Sequence, residues 1–476
     1  MFVVGRRAGF FLVLMLAALS LLAFAGCKDE AKPEVVQELV PPPAVPADHN
    51  LGNTRVVVNL EAVESTVDIA PGVSYTTWTF NGTVPGPMIR ARVGDTVQVR
   101  LKNASTNLMP HDIDLHAVNG PGGGAGVTTV LPGEERVFEF KALSAGLYMY
   151  HCAQGIVADH IGNGMYGGIL IEPAGGLREV DHEFYVGQSE FYTTGDLGAT
   201  GHQDQDMDKM MSENPTYVVF NGNTKALIGD KALQAKVGDR VRLLVVNGGP
   251  NLSSSFHVIG EIFDRAWQDG AVGSPPREGV QTIAIPPGSA AIVEFKVDVP
   301  GDYKLVDHAV IRISKGAVGT LHVTGPEDPS IFKSLSGVTG AAATGHDMGT
   351  MTPAATATPA TPAATATATK PAATAAPADA NKVVMKDNLF EPKELTAKVG
   401  DTITYSVPNE GKVPHNMRIA DAKGSYESKE SVVTSPEIIT AGKTGTLTFK
   451  PTAAGIYKFE CELHPEQMTG TITVQP

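Results

Sequence analysis

Cysteine is scarce in this chain, with three copies among 476 residues. Cys27 follows an alanine and a glycine at the end of an apolar run, whereas Cys152 and Cys461 each stand near histidine and methionine. One cysteine used as a lipid anchor and two used as metal ligands leave none to form a disulfide bond. The framework of the protein is therefore expected to hold together without disulfides.

Positive charge is also in short supply. The formal net charge is −14, and no basic tract interrupts this acidity. Nucleic acid is therefore excluded as a partner. A length of 476 residues allows about three domains of ~150 residues, each long enough to bury a core.

The N-terminus carries an apolar run over residues 8–26, preceded by two arginines. This pattern is typical of an export signal, and a cysteine directly after small residues is where a bacterial lipoprotein is cleaved and acylated. We predict a signal peptide over residues 1–27, lipidation of Cys27 and a tether over residues 28–50. An uncleaved membrane helix is the alternative, and the export route stays open. Both readings predict an extracytoplasmic, membrane-anchored protein, in the periplasm or on the outer face of the cell membrane.

Two short patterns recur three times in the same order. The first is a Gly-Asp turn leading into an alternating strand that ends on asparagine, and its copies span residues 93–103, 237–247 and 399–409. The second is a glycine followed two residues later by tyrosine, and its copies span residues 145–148, 300–303 and 454–457. Ordered repetition of this kind predicts three copies of one β-sandwich, and hence an all-β fold.

The boundaries of the copies follow from this spacing. We predict sandwiches over residues 51–173, 174–333 and 381–476. Residues 334–380 are rich in alanine, threonine and proline and cannot build a core, so we predict a flexible linker there. The third copy is then a module tethered to a two-copy body.

The first copy carries two sets of metal-ligand residues. In an extended strand, residues an odd number apart face opposite sides, so His111 and His116 diverge, as do His151 and Cys152. Asp114 shares the face of His116. The set predicted inside the sandwich is His111, Cys152, His160 and Met165. The set predicted on an outer face is His116 and His151, with Asp114 nearby.

A thiolate, two imidazoles and a weak thioether make a complete type 1 copper site for electron transfer. The outer set is an incomplete imidazole site that needs a third ligand. The peptide bond between His151 and Cys152 would join the two metals by a short covalent path.

The second copy has lost its own copper site, because Asp307 stands where the other copies have cysteine. His257 nevertheless occupies the position of His111, and His308 follows the lost cysteine directly. We interpret His308 as the missing third imidazole and His257 as a proton donor. The alternative is that both are structural histidines.

Residues 51–333 resemble a two-domain copper-containing nitrite reductase, of the branch with the shorter ligand loop. The segments that carry the resemblance are residues 111–116, 122–124, 150–152, 164–165, 255–260 and 305–308. The resemblance implies cupredoxin domains, which are Greek-key β-sandwiches, and reduction of nitrite to nitric oxide with one electron and two protons, as in denitrification.

The resemblance also implies a role for each site residue. Type 1 copper would be bound by His111, Cys152, His160 and Met165. Catalytic type 2 copper would be bound by His116 and His151 of one subunit and His308 of the next, which makes the enzyme a homotrimer. Asp114 and His257 would supply protons, and Ile259 would shape the substrate pocket.

The third copy resembles a free-standing, plastocyanin-like cupredoxin. Its copper ligands would be His415, Cys461, His464 and Met468, with Met468 left open because three residues separate it from His464. We predict that this module relays electrons into the body from an external small redox protein that the sequence does not identify. Reception of electrons for another partner is the alternative.

Two rival functions remain. A two-domain multicopper oxidase would need eight histidines, largely in His-x-His pairs, in addition to the two at type 1 copper. Residues 51–333 contain nine histidines in all and no such pair. A non-catalytic, membrane-tethered copper carrier would need neither Asp114, His257 nor His308. Metal content separates the second rival from a nitrite reductase, because a carrier should hold two type 1 coppers per chain and the reductase three coppers.

Overall fold

The computed structural model describes residues 33–48, 52–335 and 381–476, with residues 388, 427, 429 and 466 left out of the last range. Strands form nearly all of its regular structure, which confirms the prediction of an all-β fold. The predicted signal peptide, the lipidated Cys27 and nearly all of the predicted linker lie outside the described residues. Among the described residues, no helix combines the length and apolar character that a membrane span requires.

The strands are numbered in chain order. They are β1 (Glu34–Val36), β2 (Arg55–Ala70), β3 (Val73–Phe80), β4 (Gly86–Arg92), β5 (Thr96–Asn103), β6 (Asp114–Leu115), β7 (Glu135–Lys141), β8 (Gly146–His151), β9 (Tyr166–Glu172), β10 (His182–Phe191), β11 (Gly201–Gln203), β12 (Tyr217–Phe220), β13 (Leu233–Lys236), β14 (Arg240–Gly249), β15 (Ser254–Ile259), β16 (Arg265–Gln268), β17 (Thr282–Ile285), β18 (Ser289–Lys296), β19 (Gly301–Asp307), β20 (Val318–Thr324), β21 (Val384–Lys386), β22 (Leu389–Glu391), β23 (Glu394–Lys398), β24 (Ile403–Pro408), β25 (Arg418–Ile419), β26 (Val432–Val433), β27 (Thr444–Phe449), β28 (Gly455–Glu460) and β29 (Thr469–Gln475).

Short helical segments occupy the connections. They are α1 (Ala125–Thr128), α2 (Val157–Gly162), α3 (Met207–Met211), α4 (Ile311–Ser314) and the 3₁₀ turns Pro121–Gly124 and Gly229–Lys231.

Three sandwiches follow one another along the chain. The first packs the sheet β11-β3-β2-β5-β7, with β1 beside β2, against β4-β9-β8-β6. The second packs β12-β10-β14-β18-β16 against β13-β20-β19-β15-β17. The third packs β23-β29-β28-β25-β26 against the pair β24-β27, with the hairpin β21-β22 beside them.

A second apolar core joins the first two sandwiches, and β14 shows how. Leu243 and Val245 point into the core of the second sandwich, whereas Leu244 and Val246 point into the core between the sandwiches. Because side chains alternate along a strand, a strand covered on both faces carries consecutive apolar residues, as β14 does from Leu243 to Val246. The first two sandwiches therefore share a core and form one body.

The two repeated patterns fall at equivalent places in the three sandwiches. The glycines of the first pattern, Gly94, Gly238 and Gly400, all have positive φ and precede β5, β14 and β24. The glycines of the second pattern open β8, β19 and β28. Left-handed backbone favours glycine, which explains why this residue recurs at the turn.

Residues 33–48 lie in the segment that was predicted to be a tether. They pack along the body instead of standing free of it. β1 pairs in parallel with β2, and the Gln37 side chain exchanges two hydrogen bonds with the backbone of Arg90, at 2.7 and 2.9 Å. Tyr185 in the second sandwich donates its N–H to the carbonyl of Pro43. Val35 and Leu39 also pack against the core of the first sandwich, and Val45 packs against the core between the sandwiches, so the segment docks through apolar contacts as well as backbone pairing.

Candidate metal centres

The first buried centre lies at one end of the first sandwich. Single ligand atoms of His111, Cys152 and His160 lie within 4.8 Å of one another, and the Cys152 Sγ is 3.8 Å from His111 Nδ1. Met165 is fully buried in the same apolar core as Cys152. The structure thus brings together the four residues that the sequence assigned to one site.

The donor set of this centre fits a copper ion. The Nδ1 atom of His160 is buried and has no hydrogen-bond partner among the described residues, which is unusual for a buried polar atom unless it binds a metal. Burial lowers the pKa of His160, with smaller contributions from His111 and His464, so the imidazole is held in the neutral form that coordinates metals. Burial also raises the pKa of the Cys152 thiol, so a bound cation is needed to stabilise its thiolate.

A buried asparagine pins the loop that leads to the first histidine in every sandwich. The side-chain amide of Asn103 donates to the carbonyls of Met109 and Val130, at 2.8 and 2.9 Å. Asn247 and Asn409 make the same pair of bonds in their own sandwiches. These two hydrogen bonds explain why each copy of the first repeated pattern ends on asparagine. The sequence alone did not give the reason.

The outer centre lies on the other side of the strand that carries Cys152. His116 Nε2 is 3.1 Å from His151 Nε2, and Asp114 Oδ2 is 3.9 Å from the same His151 atom. His151 donates its Nδ1–H to the carbonyl of Cys152 at 2.9 Å, which leaves its Nε2 lone pair for a metal. Burial lowers the pKa of His151 and keeps this ligand neutral.

The glycine loop next to this centre holds Asp114 in place. Gly123 has φ +56° and lies so close to Asp114 that a Cβ there would be 1.8 Å from the Asp114 Oδ1. Only glycine can therefore occupy this position without moving the carboxylate.

His308 does not join His116 and His151 within a single chain. It lies on the second sandwich beside His257, with 5.5 Å between ring centroids, and both His308 and His116 are exposed. His257 donates its Nδ1–H to the carbonyl of Gln281 at 2.6 Å, so its other nitrogen is free. Ile259 is half-buried on the same strand and, two residues on, shares the face of His257.

The third sandwich repeats the buried centre. The Cys461 Sγ is 3.8 Å from His415 Nδ1 and 3.5 Å from His464 Nδ1. Burial lowers the pKa of His415 to about 3 and that of His464 to about 4, and it raises the pKa of Cys461 to about 11. Met468 is fully buried in the same core, which is where an axial ligand would be.

The third sandwich is docked on the first buried centre. His464 Nε2 lies 3.3 Å from the Met109 Sδ, and the side chains of both residues are at least 97% buried. Ile156 and Met207 of the body pack against the core of the third sandwich, and Val413 packs against the core of the first. Sequence analysis missed this contact, because nothing in a linear pattern indicates which surfaces of two tethered modules meet.

Sequence analysis also missed Glu64, which lies on β2 and is 3.1 Å from His111 Nε2. An isolated glutamate in a strand of mixed pattern carries no signal of its own.

Two family models match this chain, one over the first sandwich and one over the third. Residues 61–175 match the multicopper oxidase family, and residues 359–474 match the cupredoxin-like domain family. The prediction that the sandwiches are cupredoxin-like is thus confirmed.

Several similar proteins are copper-containing nitrite reductases. A copper-containing nitrite reductase of Neisseria meningitidis serogroup B is 53% identical over 292 residues, which cover 61% of this chain and 74% of the relative. The solved copper nitrite reductase from Nitrosomonas europaea is 34% identical over 58% of this chain and 96% of its own, with a TM-score of 0.52. The copper-containing nitrite reductase from Thermus scotoductus is 28% identical over 89% of this chain and 100% of its own, with a TM-score of 0.54.

Proposed function

The chain belongs to the copper-containing nitrite reductase family, and we propose that it reduces nitrite to nitric oxide at a copper held between neighbouring subunits. The copper cofactor and the oxidoreductase class follow from the family and from the donor sets described above. The alternatives are a multicopper oxidase and a non-catalytic carrier, and the 53% identity to a nitrite reductase over 292 residues favours the reductase.

One observation carries the proposal: each chain presents two halves of a site on its surface. His116 and His151, with Asp114, form one half, and His308 with His257 forms the other. Two imidazoles leave a metal under-coordinated, and a third imidazole from another chain completes a three-histidine site with an open position. Rotational symmetry places the second half of each chain against the first half of the next.

The chemistry requires protons as well as an electron, because nitrite, one electron and two protons yield nitric oxide and water. Bound copper supplies the electron and a position for the nitrite anion. Asp114 and His257 flank that position and hold protons within reach of the nitrite oxygen that leaves as water. Ile259 lies on the face of His257 and limits the space beside it.

Nitric oxide release tests the assignment. Copper-loaded protein given nitrite and a chemical reductant without oxygen should release nitric oxide, and a His308→Ala variant should not. His322→Ala is the matched control, since His322 is an exposed histidine of the same sandwich paired with Asp302. Absence of release from fully copper-loaded protein, above all with oxygen consumption in air, would refute the assignment.

Mixed oligomers test the position of the site between subunits. His116→Ala and His308→Ala variants should each be inactive, whereas random co-assembly should restore about a quarter of the activity, because one interface in four then has both halves intact. No recovery in co-assembled trimers would place the whole site within one chain. Native mass spectrometry of the same samples shows whether three chains assemble.

We further propose that the third sandwich donates electrons to the body within the docked arrangement. His464 contacts Met109, and Met109 lies in the same core as Cys152. A close contact shortens the path between the two sites, and a tether raises the local concentration of the donor. From the core site, the bond between Cys152 and His151 leads directly to the catalytic half-site.

A protein reductant tests this relay. With reduced cytochrome c or a small blue copper protein as donor, Cys461→Ser should slow nitrite reduction, whereas a small chemical reductant should bypass the loss. Met207→Asp, which places a charge in the docking contact, should slow the protein-driven rate by about tenfold. Met211→Asp on the same helix α3 is the control, since Met211 is 74% exposed. An unchanged protein-driven rate in Cys461→Ser would refute the relay.

Export and anchoring are proposed from the sequence alone. The apolar run before Cys27 supports a lipoprotein on the outer side of the cell membrane. Expression with radiolabelled fatty acid should label the parent and leave a Cys27→Ala variant unlabelled. Labelling of the variant would refute acylation at this residue.

A further inference from the structure

We propose that Glu64 is a positioning residue for the first type 1 copper, which orients His111 as an Nδ1 ligand and lowers the reduction potential of that site. The inference rests on His111 and Cys152 as copper ligands, and it holds whether or not the nitrite chemistry is as proposed above.

Glu64 is held rigidly beside His111. Its side chain is 11% exposed, and it accepts three N–H groups: those of Leu108 and Met109 at 3.0 and 2.8 Å, and His111 Nε2 at 3.1 Å. The backbone N–H of Glu64 in turn donates to the side chain of Asn107 at 2.9 Å. Both carboxylate oxygens thus act as acceptors, and neither is free to turn away from the imidazole.

This arrangement selects one tautomer of His111. If Nε2 carries the proton that is donated to Glu64, then Nδ1 carries the lone pair, and Nδ1 is the atom that faces the Cys152 Sγ at 3.8 Å. A partner on the far nitrogen of a ligating histidine fixes the ring orientation and increases the basicity of the ligand. Glu64 therefore prepares the site for copper before copper binds.

The charge of the carboxylate also favours oxidised copper. Cu(II) carries one more positive charge than Cu(I), so an acceptor carboxylate on a ligand stabilises the oxidised state more strongly in a buried site. A lower potential makes it easier for the electron to leave along the bond from Cys152 to His151. The expected role of Glu64 is therefore to favour delivery of the electron to the catalytic half-site.

The third sandwich provides an internal contrast. The nearest carboxylate oxygen to His415 Nε2, that of Asp387, is 3.9 Å away, which is too far for a hydrogen bond. That oxygen instead accepts the N–H of Lys412 at 2.6 Å, and His415 Nε2 is buried with no hydrogen bond among the described residues. Asp387 is also 33% exposed, so solvent weakens its effect.

A redox titration tests the proposal without nitrite. In a Cys461→Ser background the only blue absorbance comes from Cys152, so its midpoint potential can be read directly. Glu64→Gln should keep the blue band and shift the equilibrium towards reduced copper by about tenfold, the size typical of losing such an outer partner. Glu61→Gln is the control, because Glu61 is an exposed acid on the same strand β2 that pairs with Lys102; its potential should equal that of the background.

Two results would overturn the proposal. One is a blue Glu64→Gln protein whose midpoint potential equals that of the background. The other applies if the Glu64→Gln protein has no blue absorption band. Glu64→Asp keeps a carboxylate at this position and should then restore the band. If it does not, the carboxylate is not what the copper site depends on. In a Cys152→Ser background, Asp387→Asn should shift the midpoint of the third sandwich less than Glu64→Gln shifts that of the first.

Discussion

The first and second sandwiches share a strand pattern, but they use one equivalent position in opposite ways. Cys152 in the first and Asp307 in the second are both fully buried at the end of the strand that starts with the repeated glycine. Cys152 faces imidazole nitrogens, one of which has no hydrogen-bond partner. This donor set fits a metal ion.

Asp307 needs no metal ion, because donors occupy both of its oxygens. Oδ1 accepts the N–H groups of Ser255 and Ala309 at 3.1 and 3.0 Å, and Oδ2 accepts from Gln188 and Arg312 at 3.0 and 2.7 Å. In the second sandwich, hydrogen bonds and an ion pair thus hold the position at which the first sandwich has a metal ligand. This cross-link anchors His308, which follows Asp307 directly.

The largest expected effect comes from the position that distinguishes the two sandwiches. Cys152→Ser should remove the blue copper of the body and lower nitric oxide release by more than about 100-fold. This is a larger loss than that expected when a residue that only contacts a metal ligand is replaced. Asp307→Ser should leave that blue band intact. Absorbance and a nitric oxide electrode measure both variants, and a blue band that depends on Asp307 instead would break the comparison.

The two proposed proton donors come one from each sandwich, and Asp114→Asn tests the contribution of the first. The amide cannot exchange a proton as the carboxyl group does, so turnover should fall by ~10²-fold or more while copper content and the blue band stay unchanged. Normal turnover in this variant would remove Asp114 from the mechanism.

A smaller effect is expected from the glycine loop of the first sandwich. Gly123→Ala should displace Asp114 and lower turnover by about tenfold, comparable to the loss of an outer partner at a metal site. Gly122→Ala is the matched control, because Gly122 has φ +66° but no atom within 4 Å of the added Cβ. The two variants share the backbone strain, so equal losses in both would contradict a role for the contact with Asp114.

The smallest effect concerns stability of the second sandwich. Asp307→Asn should lower the free energy of unfolding by about 2 kcal/mol, because an amide group cannot accept all the donors that surround the carboxylate. Asp302→Asn, at the exposed start of the same strand β19, should change it by less than about 0.5 kcal/mol. Thermal unfolding of the metal-free variants measures both changes in the free energy of unfolding. Equal stability of the Asp307→Asn and Asp302→Asn proteins would show that Asp307 does not anchor this segment.

Much of the fold could be predicted from the chain itself. The three Gly-Asp turns and the three later glycines lead into the strands expected, since a left-handed turn and an alternating pattern are local properties. His111 and His116 do belong to different sites, but only Asp114 and Leu115 of that segment form a strand, so alternation along one strand does not explain their separation. Residues 33–48 were not predictable, because their docking depends on backbone groups elsewhere in the chain.

The sequence by itself determined the chemistry of the sites, because the identity and spacing of histidine, cysteine and methionine decide which metal a buried loop can bind. Only the tertiary structure decided how those sites are connected. His464 and Met109, which are in contact, are separated by 355 positions in the sequence. His111 and Glu64, which share a hydrogen bond, are separated by 47 positions. Such pairs depend on the packing of whole sheets and domains, which no local pattern encodes.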